Sequence, residues 1–71
     1  MRMFAICSNY HTAIGLRLVG VDGVVVSTQY ELEQEIHTAT TDPSIGIIFV
    51  EKELAYTPDT NISSPIIVTL P

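Results

Sequence analysis

Gly15-Leu-Arg17-Leu-Val-Gly20 is the pattern in this chain that comes nearest to a ligand-binding fingerprint. Dinucleotide folds use such glycines to bring backbone close to a pyrophosphate at the start of a helix. Here arginine stands where the middle glycine would admit the pyrophosphate. The glycines also fall inside and after a helix, not at the N-terminus where anions bind. The pattern therefore reads as close helix–sheet packing at Gly15 and a helix-ending turn at Gly20. Arg17 has two readings: an intramolecular pair with a nearby carboxylate, or a contact with a partner.

Other reactive types are sparse. Cys7 and His11, four residues apart, are a nucleophile and a base by type, but nothing fixes the pair in contact and no third group is identifiable to orient the histidine. A cysteine at a strand end reads as a small buried hydrophobe. Cys7-Ser8-Asn9 and Glu51-Lys52-Glu53 stand where a two-component receiver domain would carry its acidic pair and its phosphorylatable aspartate. The first of these loops has no carboxylate for magnesium, which argues against that chemistry. Glu31, Glu33 and Glu35 form either a solvated face or an acidic docking surface for a basic helix. His37 falls on the polar side of the same segment. No catalytic residue, cofactor-binding residue or metal site is assigned, and the chain does not read as an enzyme.

The chain has 71 residues, one cysteine and a net charge of −5 from eight acidic and three basic residues. One small α/β domain over residues 1–71 is the most it can hold. A chain of this size buries a small fraction of its surface and usually needs a staple or a partner. No disulfide or zinc cluster is available to staple it. At 46% hydrophobic against 15% charged, the composition excludes disorder and leaves few charges to coat a free monomer. With Arg2, Arg17 and Lys52 as the only cations, there is no basic patch for nucleic acid or an anionic membrane. No stretch approaches the roughly 18 apolar residues of a membrane span, so no direct membrane insertion is expected. The apolar run in MRMFAIC is too short for a signal peptide, and a lone cysteine fits a reducing, cytoplasmic setting.

Alternating apolar runs and amphipathic segments give the order β-α-β-α-β-α-β. Strands are expected at Met3–Cys7, Gly23–Ser27, Ile45–Val50 and Ile66–Leu70. Helices are expected from about Thr12 to Val19, with Ile14 and Leu18 facing the sheet, and from Thr28 to Thr40, with Leu32, Ile36 and Ala39 as the stripe. Asn9 or Thr12 could cap the first, and Thr28 with Glu31 makes a capping box for the second. Gly46 would let a helix or backbone approach. One or two helical turns cover Glu51–Tyr56, ended by Thr57-Pro58-Asp59, with a polar loop over Asn61–Pro65.

Such alternation means a parallel sheet with helices on both faces, and the simplest order is the flavodoxin-like 2-1-3-4. The first helix would cover one face and the second and third the other. Part of the first face, over the third and fourth strands, would stay open and ask for a partner.

Three segments in this order resemble one family, the F subunits of the vacuolar and archaeal-type (V/A-type) rotary ATPases. They are MFAICSNYHTAIGLRLVGV, with its GxRLxGV-like helix end, IGIIFVEKELA and PIIVTLP. The resemblance implies a short form lacking the family's C-terminal helix. It implies a non-catalytic central-stalk component that binds the coiled-coil stalk subunit (the D subunit) and couples ATP hydrolysis or synthesis to ion transport. It would be cytoplasmic, peripheral to the membrane through the ATPase complex, and would need no cofactor. The partner interface is expected at Ile14, Arg17, Leu18, Glu51 and Leu54, with the ends of the third and fourth strands. A self-associating α/β module forming a homo-oligomer through the open face is the alternative. A ligand site at the strand ends (Cys7, Ser8, Asn9, Ser27, Glu51) is a third reading, poor in polar groups.

Overall fold

The computed structural model describes residues 1–56 and 65–70. Four strands form one sheet: β1 (Arg2–Cys7), β2 (Asp22–Val25), β3 (Ile45–Glu51) and β4 (Ile66–Leu70). All pairings are parallel and the order is β2-β1-β3-β4, the order the sequence predicts. Two helices, α1 (Tyr10–Leu18) and α2 (Gln29–Thr40), make the crossovers, and a single 3₁₀ turn (Lys52–Leu54) follows β3. The turn is shorter than the helix expected over Glu51–Tyr56, and Glu51 itself belongs to the strand. The expected breaker Thr57-Pro58-Asp59, and the expected loop up to its last residue, Pro65, lie outside the described residues. The β1–β3 register shifts between Arg2 and Met3, whose partners are Ile45 and Ile47. Gly46 is skipped there and faces the Met1 side chain, rather than the helix or backbone expected.

Local chemistry sets the helix ends. Asn9 caps α1: its side-chain carbonyl accepts the His11 backbone N–H at 2.7 Å, so the helix starts at Tyr10 and not near Thr12. Thr28 and Glu31 form the expected reciprocal box on α2. The Thr28 hydroxyl accepts the Glu31 N–H at 3.1 Å, and the Glu31 carboxylate accepts the Thr28 N–H at 3.2 Å.

At its other end α1 closes in a Schellman turn. The Gly20 N–H reaches the Arg17 carbonyl at 3.0 Å, and the Val21 N–H reaches the Leu16 carbonyl at 2.9 Å. Gly20 has φ +91°, a conformation that side chains resist. The turn brings Val21 into the same core as Leu16. This fixes the rotation of α1, with Ala13 and Leu16 inward. Ile14 and Leu18, expected against the sheet, point outward instead and are 37% and 82% exposed. Gly15 also faces open space, so it is not the close-packing glycine the sequence suggests.

The two faces of the sheet are packed unequally. Alternation along β1 sends Ile6 to one face and Ala5 and Cys7 to the other. On the Ile6 side, Leu32 and Ala39 of α2 meet Val26, Ile45, Ile48 and Val50, with Ile36, Leu54 and Tyr56 packed around them. Each fully buried large aliphatic stabilises by about 1.5–3 kcal/mol, so this face carries most of the hydrophobic stabilisation. On the other side only Ala5, Cys7, Ala13 and Val21 are fully buried, with Leu16 and Phe49 against them. Small residues let α1 lie close but hold it with little area.

Among the described residues, that second face is covered over β2 and β1 and open over β3 and β4. The register lines up Met3, Ile47 and Ile66 in one row and Ala5, Phe49 and Val68 in the next. Met3, Val68 and Ile66 are 40%, 39% and 58% exposed. The bare strip of sheet is the one the strand order implies.

Candidate partner interface

Open α/β sheets hold ligands at the strand ends where neighbouring crossovers leave toward opposite faces. Here that point lies between β1 and β3. The chain fills it with its own carboxylate. Glu51, at the last position of β3, is 8% exposed. Its Oε1 accepts the Ser8 N–H at 2.7 Å, the Asn9 N–H at 3.1 Å and the Ser8 hydroxyl at 3.4 Å. These are the donors just ahead of α1 that an anion would use. Glu51 is thus turned inward as a brace between β3 and the β1–α1 loop.

Cys7, one residue before this brace, is fully buried. Burial pushes its thiol pKa up, and the nearby Glu51 charge pushes it further. His11 is exposed and lies edge-on to Tyr10, with ring centres 6.4 Å apart. The structure does not bring Cys7 and His11 together as nucleophile and base. Among the described residues no three His, Cys, Asp or Glu side chains group as a metal would need, and no cavity opens.

The remaining candidates separate into places. Ile14, Arg17 and Leu18 share the exposed side of α1, together with Tyr10. Leu54 is half-buried on the α2 side of the sheet, remote from them in the fold. Arg17 has no carboxylate within ion-pair distance among the described residues, whereas Arg2 takes Asp42 at 2.8 Å and Asp22 at 3.5 Å. Of the acids of α2, Glu31 is spent on capping, Glu33 is exposed and Glu35 is half-buried. Sequence reasoning points to the ends of β3 and β4. On β4 the exposed large apolar residues are Ile66, the first residue of the strand, and Val68 in its middle. The signal for them is the i, i+2 spacing of these two residues on a strand whose far side packs inward at Ile67.

A profile of the ATP synthase (F/14-kDa) subunit matches residues 4–71. The chain belongs to this family. No curated protein matches it. Membership makes the chain a component of a V/A-type ATP synthase complex, in a family whose members are structural subunits. The three segments of the family resemblance now have physical roles. GLRLVGV is the end of α1 and its Schellman turn, IGIIFVEKELA is β3 with its brace and 3₁₀ turn, and PIIVTLP contains the open edge strand β4. No helix among the described residues is long and apolar enough to cross a membrane.

Proposed function

We propose that this chain is a non-catalytic central-stalk component of the rotary ATPase. In this role it binds the coiled-coil stalk subunit, the D subunit, and helps couple ATP hydrolysis or synthesis to ion transport. It works on the cytoplasmic side, peripheral to the membrane. The observation that carries the reading is the open apolar strip over β3 and β4, lined by Ile47, Phe49, Ile66 and Val68, with Met3 of β1 at its edge. Strands lie about 4.8 Å apart, so two of them make a bed near 10 Å wide, close to the diameter of one helix. A strip without charged side chains suits the apolar seam of a helical partner. The filled crevice at Glu51 supports a binding role over a ligand-converting one.

The test is assembly. The chain mixed with the coiled-coil stalk subunit of the same organism elutes as one complex under this reading, and Val68→Glu weakens it. Separate elution at low salt rejects it. Sedimentation of the chain alone addresses the rival, a self-associating module using the same strip. A tight dimer that persists when the coiled coil is added favours that rival.

A further inference from the structure

We draw no further inference here: the strongest candidate, the uncharged outer edge of β4 (Ile66–Leu70) beside the open strip, carries nothing because nothing among the described residues shows what covers it.

Discussion

The carboxylate of Glu51 accepts the backbone N–H of Ser8 at 2.7 Å, joining the end of β3 to the loop after β1 across 43 positions of chain. The acid occupies the crevice where this fold class elsewhere receives a ligand. Removing it would take the acceptor from the Ser8 and Asn9 donors, whose bonds to it are partly buried although both residues are exposed. A lost hydrogen bond that water can partly replace costs about 0.5–1.5 kcal/mol. Glu51→Ala should lower unfolding stability by that order in a urea titration. Glu51→Gln, which keeps one acceptor oxygen, should lower it less. Equal stability of all three proteins would show that the brace contributes nothing.

The glycines of GLRLVGV should respond in opposite directions. Gly20 needs its left-handed φ, so Gly20→Ala should destabilise by about 1 kcal/mol. Gly15 is unconstrained, so Gly15→Ala should stabilise the isolated chain by about 0.5–1 kcal/mol. Paired thermal melts check this, and a loss at Gly15 would mean that its surroundings in the free chain are crowded.

Acid should weaken the fold through two surface carboxylates. Glu31 is held below its ordinary value mainly by the Ser27 backbone N–H, then by the Ser27 hydroxyl and the Thr28 donors. Asp42 is held down first by the Ser44 hydroxyl, then by the Ser44 N–H and Arg2. A lowered folded pKa means that the stabilisation is present above the unfolded value, about 4, and is lost as pH falls through the lowered one. Melting temperature should hold steady from pH 7 to about 5 and drop below about 4. Glu31→Gln with Asp42→Asn should start lower at neutral pH and show a shallower acid limb.

Cys7 should be silent to thiol reagents. It is buried and its thiol resists ionisation. Alkylation of the native chain should track global unfolding across a urea series. Fast labelling without denaturant would contradict the packing on the α1 side of the sheet.

The parallel sheet and its order are legible in the sequence because β-branched runs, a capping box and two turn signals recur at βαβ spacing. Leu32, Ile36 and Ala39 announce the inner side of α2 by period alone. The rotation of α1 is not legible. Ala13-Ile14 and Leu16-Arg17-Leu18 offer two apolar stripes, and the choice between them is made by Val21, which enters the core after the turn and takes Leu16 with it. Glu51 is visible as an acid after β3, but a single strand carries no sign of the loop it will meet in a neighbouring strand. The open strip follows from topology. Its lining residues require the register between β3 and β4.

Under the proposed function, this small α/β chain carries a helical partner on its uncovered side. The most direct measurement is size-exclusion chromatography with light scattering of the chain mixed with the coiled-coil stalk subunit, at equal concentrations and low salt. One peak with the mass of a one-to-one complex is expected, and Val68→Glu should split it. Two separate peaks from well-folded proteins would contradict it.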